Sequence, residues 1–226
     1  MKLSVSANWI FIPALAGMLY FVLALAGLHL LDREYDPFMD FISKYSGGEY
    51  KWLSQSAFWA LCFSFVLVGA MLILEMGQVV LAWLPFFLFC VACISLALLC
   101  AHPVDWTQPD ALEHVIIHDR AGWMGFVSVI AGQVLWPLAF HFHRPWRRAA
   151  APMFLLGLIT LGYFLIQGLQ DLAHPRVALL GLHERVLVGL IWGWMLAALL
   201  IFKRAQAQNS PVLAPLPSLH SELSGR

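Results

Sequence analysis

Charge is scarce in this chain: Asp, Glu, Lys and Arg make up 12% of its 226 residues, roughly half the share of an ordinary soluble domain. Thirteen basic groups balance thirteen acidic ones, and no basic run or patch forms, so no nucleic acid is expected as a partner. No glycine-rich phosphate loop occurs, which removes the nucleotide-binding classes that depend on one. No Ser-His-Asp ordering stands out. The HExxH zinc-protease pattern is absent, because Glu113 precedes His114 instead of lying between two histidines. The four cysteines (Cys62, Cys90, Cys93 and Cys100) all lie inside apolar runs. No disulfide framework is implied, and the single Cys90-x-x-Cys93 reads as small packing residues.

Hydrophobic residues, by contrast, reach 61%, more than a soluble domain of this size can hide. They fall into six blocks of about the 20 residues needed to cross a hydrocarbon core: Trp9–Leu31, Trp52–Leu74, Val79–Ala101, Ala121–Phe142, Met153–Ala173 and Val186–Phe202. The last is short, and Val177–Leu182 can lengthen it. The runs lack period-two alternation, so helices and not barrel strands are expected. The fold class is therefore all-α, a six-transmembrane-helix bundle spanning residues 1–204. The terminal side carries seven basic groups and only Glu75 and Glu222 as acids, against six basic and eleven acidic groups opposite. This asymmetry places both termini in the cytoplasm. The expected location is a cell membrane, multi-pass, most simply a bacterial cytoplasmic membrane. Lys2, Trp9–Leu23 and Ala24-Leu25-Ala26 imitate a cleaved leader, but apolar character continues to Leu31, which suits a retained helix.

Residues 205–226 contain three prolines, several polar residues and no apolar period, and are expected to be a disordered cytoplasmic tail. Glu75-Met76-Gly77-Gln78 should form a tight inner turn. The first outer loop, Asp32–Lys51, carries Phe38, Phe41, Ile42, Tyr45 and Tyr50, which suggests a re-entrant or interfacial piece. The tryptophans, among them Trp52, Trp106, Trp123, Trp136, Trp146, Trp192 and Trp194, read as belts at the helix ends.

A charged tripeptide occurs twice, each time opening an apolar run. His118-Asp119-Arg120 precedes Ala121–Phe142, and His183-Glu184-Arg185 precedes Val186–Phe202. Each follows a His-Pro pair, His102-Pro103 or His174-Pro175. Pro109 and Pro175 suit the first turn of a helix, so both trios can sit two turns into helices that start outside the membrane. Two copies of one hairpin and chance convergence both account for this. His114 and His118, four apart, share a helix face that continues through Gly122, Gly125, Ser128 and Gly132. Gln167, Gln170, Asp171 and His174 form a polar stripe. Gly189-x-x-x-Gly193 below Arg185 suggests close helix packing.

If these stripes converge, they surround one outward-facing hollow with His102 and Asp105 at its rim. Two readings stand for the histidines. In one, His114, His118 and one of His102, His174 or His183 ligate zinc, Asp105 or Glu184 acts as base, Arg120 and Arg185 hold an anionic headgroup, and Ser43 and Asp171 also bind the substrate. In the other they only hydrogen-bond to headgroups, water and loops. For Arg120 and Arg185, pairing with Asp119, Glu184, Asp105 or Asp171 competes with an anion clamp.

Tyr35-Asp36-Pro37-Phe38-x3-Ile42-Ser43, the His102-Pro103-Val104-Asp105 turn, the later His118 and Gly181-Leu182-x2-Arg185 together resemble the bacterial and archaeal membrane family of domain of unknown function 998. The likeness covers residues 9–204. It departs at His102, where a phenylalanine or similar residue is expected. The resemblance implies a fold and membrane placement without an established activity, and marks Ser43, Asp105, His118 and Arg185 as polar positions of interest. The functional expectation is recognition, or metal-dependent hydrolysis or transfer, of a lipid-like amphipathic substrate. The alternative is a non-catalytic transporter component or membrane-complex subunit with a membrane partner protein.

Overall fold

The computed structural model of the chain describes residues 8–76, 79–103, 111–173 and 179–209. Six helices carry nearly all of them: α1 (Asn8–Leu31), α2 (Lys51–Met76), α3 (Trp83–Ala101), α4 (Ala111–Phe140), α5 (Arg147–Ala173) and α6 (Leu180–Asn209). No strand occurs among the described residues. Each helix matches one apolar run of the sequence and is long and apolar enough to cross a membrane. A helix suits that setting because it satisfies every backbone polar group within itself.

The ends differ from the hydropathic boundaries where polar residues continue a helix. α4 starts ten residues before Ala121, with Glu113 in its first turn, where a carboxylate complements the helix dipole. His114 and the first trio thus stand on its first three turns. α6 runs past Arg204 to Asn209, since Ala205-Gln206-Ala207-Gln208 are good helix formers. The remainder of the expected tail, residues 210–226, lies outside the described residues. So do Gly77 and Gln78 of the expected inner turn, after which a short 3-10 helix, Val80–Ala82, leads into α3.

The helices pack in chain order, and α6 returns to α1. At the α1–α2 contact, Gly17 lets the backbones approach, and Ser64 Oγ donates to Ala14 O at 3.0 Å. Between α2 and α3, the thiols of Cys62 and Cys93 each donate to the other's carbonyl at 3.3 Å. Gly125 and Gly132 seat α4 on Ser95 and Phe89 of α3, and Gly157 brings α5 against the Gln133 backbone. Trp192 Nε1 closes the ring on Met18 O at 3.2 Å.

Inside the ring, Phe89 sits edge-on to Phe65, Trp136 and Trp194 at centroid distances of 5.5, 6.4 and 6.2 Å. Two expectations change here. Trp136, Trp146 and Trp194 are fully buried and form part of the core, not an aromatic belt, because aromatic bulk is what fills a centre bounded by several helices. Gly189 and Gly193 are not a close-packed seam: a Cβ at either would meet nothing within 4 Å among the described residues.

Candidate functional site

The site is built on the loop between α1 and α2. Asp36-Pro37 starts a single turn, with Asp36 Oδ1 accepting the Phe38 N–H at 2.8 Å and proline at a position needing no donor. The Asp40 carboxylate takes Lys44 Nζ at 2.6 Å and the Asp36 N–H at 2.8 Å. Burial alone would raise the Asp40 pKa, but these bonds and the positive charges of Lys44 and Arg185 outweigh it and hold the carboxyl below its ordinary range. After extended Phe41 the chain enters a 3-10 helix, Ile42–Ser46, whose Ile42, Ser43, Tyr45 and Ser46 are buried. Burial raises the Tyr45 pKa, against the opposing pull of Arg185 beside it.

The start of α6 holds this loop at alternate residues. Leu182 N–H donates to Phe38 O at 3.0 Å, Arg185 Nη1 to Asp40 O at 2.8 Å, and the Glu184 carboxylate accepts from Ile42 N–H. Gly181 is required at this crossing, because a Cβ there would lie 2.8 Å from Asp40 N and Pro37 O. Arg185 also donates from Nη1 to Gly181 O at 2.8 Å and from Nε to His29 Nε2 at 2.9 Å. His29 in turn bonds through Nδ1 to Leu25 O. Glu184 and Arg185 of the α6 trio are thus a clasp on the first loop and the end of α1, made of contacts about 140 to 156 residues apart in sequence.

His118 approaches Ser43 from α4. Its Nε2 stands 2.9 Å from Ser43 Oγ, and its Nδ1 3.0 Å from His102 O. A backbone carbonyl can only accept, so the proton sits on Nδ1 and Nε2 is left to accept the serine hydroxyl. His118 is 5% and Ser43 9% exposed.

Both side chains line a cavity of about 480 Å³. Its polar wall also includes Lys44, Asp119, Tyr163, Gln167, His183 and Glu184, all near one end of the bundle, with Asp119 exposed. Tyr163 OH lies 2.9 Å from His183 Nδ1. The deeper wall is apolar, with Phe58, Phe65, Phe126, Val129 and Ile191 among its side chains. Val129 is eleven residues along α4 from His118, about 16 Å at the helical rise. α5 and α6 both contribute to this wall, so the cavity occupies space between them.

The expected residues separate accordingly. His118, Asp119, His183, Glu184 and Ser43 share the cavity. Arg120 is exposed and absent from its wall. Arg185, expected to hold an anionic group, is absent from the cavity wall, and its Nε and Nη1 are taken by His29 Nε2 and by the carbonyls of Asp40 and Gly181. Glu184, considered as a base, has an oxygen committed to Ile42 N–H. The His102 and His114 rings lie 5.0 Å apart between centroids. Among the described residues no three His, Cys, Asp or Glu are gathered to hold a metal. Asp105 and His174 lie outside the described residues, and so does the side chain of Asp171. The sequence reading missed the Ser43–His118 pair as a pair, and it missed Tyr163.

Six apolar helices closed into a ring around this cavity define an integral, multi-pass membrane protein. The chain belongs to the family described as protein of unknown function (DUF998), which it matches over residues 14–201. No curated protein and no solved structure matches it.

Proposed function

We propose that this protein binds a lipid-like amphipathic molecule, its apolar part in the cavity and its polar part against Ser43, Lys44, His118, Asp119 and His183. The observation that carries this reading is the cavity's polarity: an apolar interior reaches about 16 Å below His118 and polar side chains gather at one end. Such a division matches a molecule with a fatty chain and a hydrogen-bonding head. The charge split of the loops supports a non-cytoplasmic polar end in a cell membrane, which a reporter fused after Asn209 tests by its compartment.

Native mass spectrometry of protein released from nanodiscs tests the binding. A co-purifying lipid is expected, and Gly122→Trp should displace it with the fold intact. Gly122 lines the cavity, and a Cβ there meets nothing within 4 Å, so the indole has open space to fill. Wild-type protein free of lipid in a lipid-rich nanodisc, or a Gly122→Trp variant that keeps its lipid, contradicts the reading.

A further inference from the structure

We infer that Ser43 is a nucleophile and His118 its general base, and that the pair cleaves or transfers a carboxylic ester of the bound amphiphile. The inference rests on the lipid-binding reading and adds a reaction to it. Four features meet at one place. Ser43 Oγ lies 2.9 Å from His118 Nε2, within the reach a base needs to take the hydroxyl proton. His118 is fixed in the tautomer that can do so, because His102 O accepts at Nδ1, 3.0 Å away. That carbonyl takes the orienting position that a carboxylate fills in Ser-His-Asp triads. Both groups line the cavity and are nearly excluded from outside solvent. Finally, the serine is held in place from a different direction, since Glu184 accepts the N–H of Ile42, the residue before it.

A serine hydroxyl that merely fills its hydrogen bond in a helix donates to a nearby carbonyl. Ser64, Ser95 and Thr160 do so, each bonding the carbonyl four residues earlier at 2.9 Å. Ser43 instead faces an imidazole nitrogen brought in from α4, at the boundary between the polar and apolar walls. A chain lying in the apolar cavity would carry its ester carbonyl to that boundary.

In the reaction, Ser43 Oγ forms a bond to the carbonyl carbon while its proton passes to His118 Nε2. The resulting imidazolium keeps its Nδ1–H on His102 O. The tetrahedral intermediate then collapses, the ester C–O bond breaks, and the leaving alcohol takes the proton from Nε2. Acyl-Ser43 remains. Water, or a second alcohol in a transfer, attacks the acyl carbon as His118 accepts its proton. The carbon–Oγ bond breaks, and the proton returns to Ser43. Glu184 is a positioning residue in this scheme.

The test uses full-length protein in nanodiscs and a long-chain alkyl fluorophosphonate, which modifies activated serines irreversibly. One adduct is expected, on Ser43 by peptide mass spectrometry, with none in Ser43→Ala. His118→Gln should slow labelling by about 10²–10⁴-fold, the usual contribution of a general base. The wild-type rate should rise with pH as the imidazole loses its proton and then level off. Hydrolysis of a long-chain p-nitrophenyl ester should follow the same pattern. Thermal melts of each variant identify those that remain folded. Should His118→Gln fail to fold, Glu184→Ala, which removes the acceptor of the Ile42 N–H, replaces it, with slower labelling expected and the wild-type pH profile kept. Folded wild type left unlabelled at Ser43, or labelled equally in folded His118→Gln, overturns the proposal. If lipid still co-purifies in that case, the reaction is refuted and the binding reading stands; if no lipid is found, both fall.

Discussion

Replacing Arg185 by alanine tests whether Glu184 and Arg185 form a clasp. One guanidinium donates to His29 Nε2 and to the carbonyls of Asp40 and Gly181, at 2.8–2.9 Å. Hydrogen bonds to a charged group contribute about 1.5–3 kcal/mol each, and partners left unpaired cost about 1–3 kcal/mol. Arg185 is only partly buried, so water recovers part of this loss, and a net destabilisation of about 2–4 kcal/mol is expected. At about 2–4 °C per kcal/mol for a chain of this length, Arg185→Ala should melt about 5–15 °C lower in detergent, followed by tryptophan fluorescence. Arg185→Lys should regain less than half, because a point cation cannot serve three acceptors in the geometry of a planar fork. With His29→Ala, a double-mutant cycle should give a coupling of about 1–2 kcal/mol. An Arg185→Ala melt within about 1 °C of wild type, with unchanged proteolysis between Asp32 and Lys51, refutes the clasp.

Glycine substitutions should divide by position. Gly132→Ala would put its Cβ 2.6 Å from the Phe89 ring, which is confined by Phe65, Trp136 and Trp194, so a loss of about 1–3 kcal/mol is expected in detergent unfolding. Gly193→Ala enters open space and should be neutral or stabilising by up to about 1 kcal/mol. The folded-state pKa of Asp40 is lowered, so its contribution is complete above the unfolded-state pKa and is lost as pH falls through the folded one. Asp40→Asn should therefore destabilise the fold slightly at neutral pH, by about 0–1 kcal/mol for a partly exposed pair, and converge with wild type in acid. Equal differences at pH 7 and pH 3 would contradict this.

The helices were legible because an apolar run of membrane length has few other ways to fold. Their ends were less so, since hydropathy stops at Ala121 whereas the hydrogen-bonded helix continues back to Ala111. The polar contacts were legible only as composition. Spacing on one helix groups His114 with His118, but it carries no information on which face meets which loop. The partner of His118 lies 75 residues away in a short 3-10 helix of the first loop, and that of Arg185 156 residues away on α1. Likewise, Gly189-x-x-x-Gly193 has the spacing of a packing motif, yet among the described residues no neighbour comes within 4 Å of a Cβ at either position.

The clasp has a consequence for biogenesis. The segment bearing Ser43 leaves the ribosome early, but the groups that shape it belong to the last helix. Domains otherwise tend to organise from the N-terminus during synthesis. Here a nascent chain of five helices has every wall of the cavity except the one from α6, and its serine is not yet tethered. Completion of the cavity is therefore deferred until α6 has been synthesised and has reached the first loop.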